Sequence, residues 1–268
     1  MQLGSVLKQI IHDKKKLVEE NKEKISTEEL KSKALEVDKP LDFKEIFNKE
    51  NIALIAEIKR SSASAGDILP DLDLGKITNT YIDGGVSAIS ILTEKTRFGG
   101  SVGDLKDVSG ICKKHNIPVL QKDFIFDVHQ VYEGAINGAS AALVIVSILK
   151  EKELSEIIQA CFKLSITPLV EIFNEIELKL AIDNGAEVIG INNRNLNNLE
   201  TSLKVFEDLA PKVPKDKILI SESGMKTMED VQLMSEHGAD AVLVGESILK
   251  SDNIIDHIKR LAAIRKCK

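Results

Sequence analysis

Eight short apolar runs, one behind another after residue 50, most constrain what this chain can fold into. They fall at 52–58 (IALIAEI), 87–92 (SAISIL), 118–121 (PVLQ), 140–147 (SAALVIVS), 167–171 (TPLVE), 187–192 (EVIGIN), 217–221 (KILIS) and 240–244 (DAVLV). The runs are continuous rather than alternating, which is the pattern of parallel strands buried on both faces. Helical patterns lie between them, at 74–83, 101–115, 127–137, 151–163, 174–183, 201–209, 226–236 and 252–265. Four of these helices run into a glycine, Gly85, Gly138, Gly185 or Gly238, the residue that most readily takes the left-handed position ending a helix. Strand starts recur every 20–35 residues, one βα unit each.

Eight βα units in a row predict a (β/α)8 TIM barrel. An open doubly wound sheet is the alternative, but it usually carries a glycine-rich GxGxxG turn after its first strand. Here the first strand is followed by KRSSASAG. Residues 51–268 supply 218 positions, about 27 per unit, which one barrel uses fully. Residues 1–50 carry no strand signal. Val6, Leu7, Ile10, Ile11, Leu17 and Val18 form one apolar helical face, and the Lys/Glu run 14–24 reads as its solvated continuation. A second helix starts at Thr27, and a short one follows Pro40 and Asp42 to about Asn48. Fifty polar residues are too few for a core of their own, so 1–50 is expected to be a helical extension packed on a barrel of 51–268.

The balance of charge narrows the partners. A net charge of −6 lacks the basic footprint of a nucleic-acid binder. With no Trp and 4% aromatics, base-stacking platforms are not expected either. Hydrophobic residues at 43% exclude disorder over the whole chain. Cys112, Cys161 and Cys267 are odd in number and scattered, and the five histidines form no HExxH pair. Neither a disulfide framework nor a metal site is expected. The first residues have no apolar stretch leading to a cleavage site, and the most apolar run, 139–149, is half the length that spans a bilayer. These features lead us to expect a cytoplasmic protein with no membrane, nucleic-acid or obligate protein partner.

The strand ends are unusually polar. In such barrels the active site forms at the C-terminal ends of the strands. The first run ends Glu57-Ile58-Lys59, the second leads to Thr93-Glu94, the third to Lys122-Asp123-Phe124 and the fifth to Glu171. The sixth ends Asn192-Asn193-Arg194, the seventh Ser221-Glu222-Ser223-Gly224 and the eighth Val244-Gly245-Glu246. A single charge there only marks where chain meets water. Convergence of Lys59, Lys122, Glu57, Glu171 and Glu222 on one rim instead makes acid–base pairs, unless it is a structural ion-pair network. Ser223-Gly224 and Gly245-Glu246 precede helices after strands 7 and 8, where barrels often bind phosphate. Glu246 would then have to turn its carboxylate outward while its N–H points in.

These segments resemble those of indole-3-glycerol-phosphate synthases. The likeness lies in IAEIKRSSASAGDI, LTEKTRFGGSVGDL, PVLQKDFIFDVHQVYEG, PLVEIFNE, IGINNRNL, SESGMKT and VLVGESIL, in the family's order over about 45–250. The chain looks like the monofunctional form. The resemblance implies an enzyme of tryptophan biosynthesis that uses no cofactor. It closes an indole ring by decarboxylation and dehydration of 1-(2-carboxyphenylamino)-1-deoxyribulose 5-phosphate. By the same resemblance Lys122 is the general acid, with Glu57 as a plausible carboxylate partner, and Glu171 is the base for dehydration. Lys59 contacts a substrate anion, its carboxylate or phosphate, while Asn192 and Glu222 position hydroxyls and developing charge. Arg194, Ser62 and Ser64 bind substrate, and Phe98, Phe124, Leu143 and Leu196 wall the aromatic ring. Ser223, Gly224, Gly245 and Glu246 cradle the phosphate. One departure stands out: the family's Ser-Pro-Ser is Ser62-Ala63-Ser64 here, which removes a φ constraint from that loop. Two other readings compete, a Schiff-base aldolase and a barrel that binds a phosphate ligand without catalysis. The first commonly needs a lysine on strand 6, where Asn192 stands, and the second would have lost Lys122 or Glu171.

Overall fold

The computed structural model describes residues 4–62, 66–67, 72–196 and 198–267. The chain opens with α1 (Ser5–Lys24), α2 (Thr27–Glu36) and a 3-10 turn at Phe43–Phe47. Four strand–helix units follow: β1 (Ala53–Ile58) with α3 (Leu74–Gly84), β2 (Ala88–Leu92) with α4 (Val102–Lys113), β3 (Val119–Lys122) with α5 (Val128–Ile136), and β4 (Ala141–Ile145) with α6 (Glu151–Lys163). Next come β5 (Thr167–Ile172) with α7 (Glu175–Asp183), β6 (Val188–Asn192) with α8 (Lys204–Leu209) and β7 (Ile218–Glu222) with α9 (Met228–Glu236). The last unit is β8 (Ala241–Val244) with α10 (Glu246–Leu249) and α11 (Ile254–Ala262). Neighbouring strands pair in parallel, and β1 pairs with β8 from Ala53 to Ala241 onward, which closes the barrel.

The expected strands are all present. The fourth is shorter than its apolar run, because Val146–Ile148 turns into a 3-10 helix. The last helix covers 254–262 rather than 252–265, with Asn253 capping its start through Asp256 N. The four helix-ending glycines are left-handed, with φ of +88° at Gly85, +87° at Gly138, +82° at Gly185 and +91° at Gly238.

Side-chain alternation divides each strand between two cores. Ala53, Ile55, Ala88, Leu120, Ala141, Leu143, Leu169, Val188, Ile220 and Ala241 fill the barrel interior. Their neighbours Leu54, Ala56, Ile89, Ile91, Val144, Val170, Ile189 and Val242 pack outward under the helices. The 3-10 turn plugs the N-terminal end of the barrel. Phe43, Ile46 and Phe47 join the interior cluster with the first residues of several strands. Lys44 Nζ reaches Glu187, just ahead of β6, at 3.0 Å, and Lys266 Nζ donates to the Phe47 carbonyl at 2.6 Å.

One expectation for α1 needs correction. Lys14 does not belong to a solvated run: it is 6% exposed, in line with buried Leu7, Ile10 and Val18 on one helix face. Its Nζ lies 2.7 Å from Asp123 Oδ2, just past β3. A buried ammonium is tolerated only with such a partner. Ile11 and Leu17, expected on that face, are half-buried.

Phe43 is fully buried in the plug. Phe43→Ala is expected to destabilise the protein by about 3–5 kcal/mol, seen as a lowered denaturant midpoint with the fold retained.

Candidate active site

Inward-pointing positions at the C-terminal strand ends change from aliphatic to ionisable. Glu57 follows Ile55 on β1, Lys122 follows Leu120 on β3, Glu171 follows Leu169 on β5 and Glu222 follows Ile220 on β7. These four side chains form the floor of a cavity of about 720 Å³. Lys122 Nζ sits 3.5 Å from Glu222 Oε2 and 3.8 Å from Glu171 Oε2. Asn192 Nδ2 donates to Glu171 Oε2 at 3.0 Å and so orients that carboxylate. Glu57, expected as the partner of Lys122, pairs instead with Lys59 at 2.5 Å. The two side chains leave the strand on the same side, two residues apart, which makes Lys59 the nearer ammonium.

Room for this cluster comes from two glycines. A Cβ on Gly190, inside β6, would stand 2.2 Å from Glu222 Oε1. One on Gly245 would stand 2.9 Å from Glu57 Oε1 and 3.2 Å from Lys59 Nζ. Any larger residue at either position would displace a charged group. Gly190 was not singled out from sequence. The signal was present, since an isolated glycine within a strand run often marks such an approach.

Burial and mutual charge tune the cluster. Burial pushes the Glu222 carboxyl up to about 8, and the nearby Glu171 carboxylate adds to the rise. Glu171 is also raised, by burial, against the opposing pull of Lys122. Burial works against the Lys122 ammonium, but Glu222, Glu171 and Glu57 outweigh it and raise its pKa. Burial also works against ionised Glu57, yet Lys59 and Lys122 hold its carboxyl below the usual range. At neutral pH the arrangement holds two ammonium groups, an ionised Glu57, and a Glu171–Glu222 pair that keeps a proton. Both Glu222 oxygens and Glu171 Oε1 are fully buried, and the two carboxyls lie close enough to share a proton.

The walls differ on the two sides. Phe98, Phe124, Leu143 and Leu196 line the cavity as expected, with Phe98 and Phe124 rings 6.3 Å apart. Leu7 and Ile10 of α1 also reach it. On the other side stand Lys59, Arg194, Ser223, Gly224, Gly245 and Glu246. Ser223 and Gly224 both have positive φ, +64° and +92°, so their backbone turns sharply past the end of β7. Asn193 holds that turn by donating to the Ser223 carbonyl at 3.1 Å.

The Glu246 carboxylate is held by cations: its Oε1 accepts from Lys250 Nζ at 2.7 Å, and its Oε2 lies 3.9 Å from Arg194. This partial neutralisation lessens its repulsion of an anion bound nearby. Lys226, Ser247 and Lys250 line the same side. Sequence reasoning passes over them because isolated polar residues at helix ends look like solvated caps. Ser62 is described in backbone only, on a short antiparallel ribbon where Ser61 pairs with Asp67 and Ser62 with Gly66. Ser64 and Ala63 lie outside the described residues. Glu94, at the end of β2, stays out of the cavity: its carboxylate accepts the N–H groups of Thr96, Arg97 and Phe98 and folds the following loop.

Comparison with known proteins decides the family. Residues 7–261 match the sequence profile described as "Indole-3-glycerol phosphate synthase". The chain belongs to that family. An indole-3-glycerol phosphate synthase from Acetivibrio thermocellus is 38% identical over 262 residues, 97% of this chain and 100% of that one. One from Caldanaerobacter subterraneus subsp. tengcongensis is 43% identical over 249 residues, 92% of this chain and 94% of that one. Beyond the indole-3-glycerol phosphate synthases, 3-hexulose-6-phosphate synthase from Salmonella typhimurium superimposes with a TM-score of 0.63. It covers 79% of this chain and 97% of that one, but at 16% identity it shares the fold alone.

A carboxyl whose pKa rises on folding stabilises the protein at low pH and loses that contribution as pH climbs through the raised value. Glu222 is such a group, with its window between about 4.5 and 8. Wild-type thermal stability is therefore expected to fall, relative to Glu222→Gln, as pH rises across this window. Parallel melting curves from pH 4.5 to 8.5 check this, and equal slopes in the two proteins would contradict it.

Proposed function

We propose that this chain converts 1-(2-carboxyphenylamino)-1-deoxyribulose 5-phosphate to indole-3-glycerol phosphate, CO2 and water, in the cytoplasm, as a step of tryptophan biosynthesis. The observation that carries the reading is the Lys122 ammonium between Glu222 and Glu171, on the floor of a cavity with one apolar and one cationic wall. That asymmetry suits a substrate with an aromatic ring at one end and a phosphate at the other. The ring fits between Phe98, Phe124, Leu143 and Leu196. The phosphate fits the backbone N–H groups around Gly224 and Gly245, with Lys59 and Arg194 supplying charge. Lys226 and Lys250 add positive potential on the same side.

Ring closure puts developing negative charge on a ketone oxygen while a ring carbon attacks the ketone carbon. Lys122, held in its ammonium form by three carboxylates, protonates that oxygen. Loss of CO2 then restores the aromatic ring. The hydroxyl formed from the ketone leaves next as water, taking a proton from the reloaded Lys122, and a proton must come off the neighbouring carbon to complete the pyrrole. Glu171, oriented by Asn192, accepts that proton. Glu222 is the adjoining store, since a carboxyl raised to about 8 can return a proton to Lys122 at neutral pH. Glu57 keeps Lys59 fixed at the cavity edge.

Residues 1–50 belong to the same working unit in this reading. Leu7 and Ile10 complete the apolar wall, and Phe43 and Phe47 seal the far end of the barrel.

The test is direct. Purified protein incubated with the substrate is expected to generate indole fluorescence, and a folded protein that yields no product would exclude the proposal. Lys122→Ala is expected to lower kcat by about 10²-fold or more, with KM changed far less. A kcat within a few-fold of wild type would remove Lys122 from the general-acid role.

A further inference from the structure

We propose that Lys14 is a positioning residue for the reaction: through Asp123 it fixes the end of β3, and with it both Lys122 and Phe124. The inference rests on the function proposed above and deepens it.

Lys14 comes from α1, yet its nearest acidic partner is 109 positions away in sequence. The pair is 2.7 Å long, and both side chains are almost wholly buried, at 6% and 1% exposed. Asp123 uses its carboxylate fully. Oδ2 accepts from Lys14 Nζ and from the Thr93 hydroxyl, which ties the end of β2 to the same point. Oδ1 accepts the N–H of Phe124 at 2.8 Å and sets the turn leaving the strand. Asp123 thus sits between the residue proposed as acid and one proposed to wall the ring. Fixing its carboxylate fixes the backbone of both.

Lys122 has reason to depend on such an anchor. Its contacts to Glu222 and Glu171 are 3.5 and 3.8 Å, longer than the 2.7–2.9 Å of a tight charged hydrogen bond. Those carboxylates set its charge more firmly than its position. The strand end must do the positioning. A second ion pair, Lys22 to Asp127 at 2.6 Å, lies further along α1 and pins the start of α5. It is only partly buried and touches neither cavity-lining residue, so it serves as an internal control.

The experiment compares Lys14→Met, Lys14→Arg and Lys22→Met with wild type. Lys14→Met is expected to lower kcat at least tenfold with KM changed less than threefold. Lys14→Arg, which can still donate to Asp123, is expected to return kcat to within about threefold, and Lys22→Met to leave it within twofold. A folded Lys14→Met with wild-type kcat, or with a raised KM alone, would overturn the proposal. If an orphaned Asp123 prevents folding, Lys14→Met/Asp123→Asn removes both charges while Asn keeps the Phe124 contact. Slow turnover in that folded double variant supports positioning by the ion pair, and full turnover refutes it.

Hydrogen exchange on the ligand-free protein reads the same idea without any reaction. The segment 120–127 is expected to exchange at least tenfold faster in Lys14→Met, with 188–192 and 218–222 unchanged. Should wild type form no product, the functional reading fails while faster exchange at 120–127 still supports the anchor. Unchanged exchange at 120–127 overturns the anchor even if wild type is active.

Discussion

A buried ammonium needs negative charge beside it, and Lys122 sets that requirement for the whole upper end of the barrel. Two carboxylates approach it from β5 and β7, and a third acts from β1. Three carboxylates exceed one ammonium, so Lys59 is drawn in beside Glu57. The excess that remains is held as a proton on the Glu171–Glu222 pair. Gly190 and Gly245 follow from the same requirement, because the cluster fits only where two inward positions carry no side chain. Below it the barrel interior is predominantly apolar. The low dielectric that makes the charges costly to bury also strengthens their interactions.

The cavity above this floor is a boundary between two kinds of surface. Aromatic and aliphatic side chains from the loops after β2, β3 and β6, from β4 and from α1 make one half. Lys59, Arg194 and the turns after β7 and β8 make the other, with cations and strained backbone at Ser223. A bifunctional small molecule is oriented by that contrast before any specific contact forms. Glu246, between Lys250 and Arg194, limits how positive the second half becomes when empty.

Most of this was legible because parallel strands buried on both faces write continuous apolar runs, and because a charged residue directly after such a run is conspicuous. Strand ends, helix-ending glycines and the five converging charges could all be read locally. What could not be read depended on partners distant in sequence. Lys14 sits in a Lys/Glu-rich run whose composition says solvent, and only the fold brings Asp123 to it. The choice of Glu57 for Lys59 rather than Lys122 is a matter of a few ångströms in three dimensions. Gly190 gives no local sign of which group fills the space beside it, because only the fold brings Glu222 there. The sealing role of Phe43 and Phe47 required knowing that the chain's start reaches the open end of a closed sheet.

The opening segment touches both ends of the barrel, and its partners arrive late. Lys14 waits for Asp123, Lys44 for Glu187, and the Phe47 carbonyl for Lys266. During synthesis the apolar face of α1 therefore stays exposed until Asp123 and α5 are made, and the Phe43–Phe47 turn until Glu187 and Lys266 are. These are contacts of high sequence separation, the kind that form slowly. The plug in particular can be seated only once the strands that surround it have been made. During that interval the same apolar strip is the surface most open to chaperones or to aggregation.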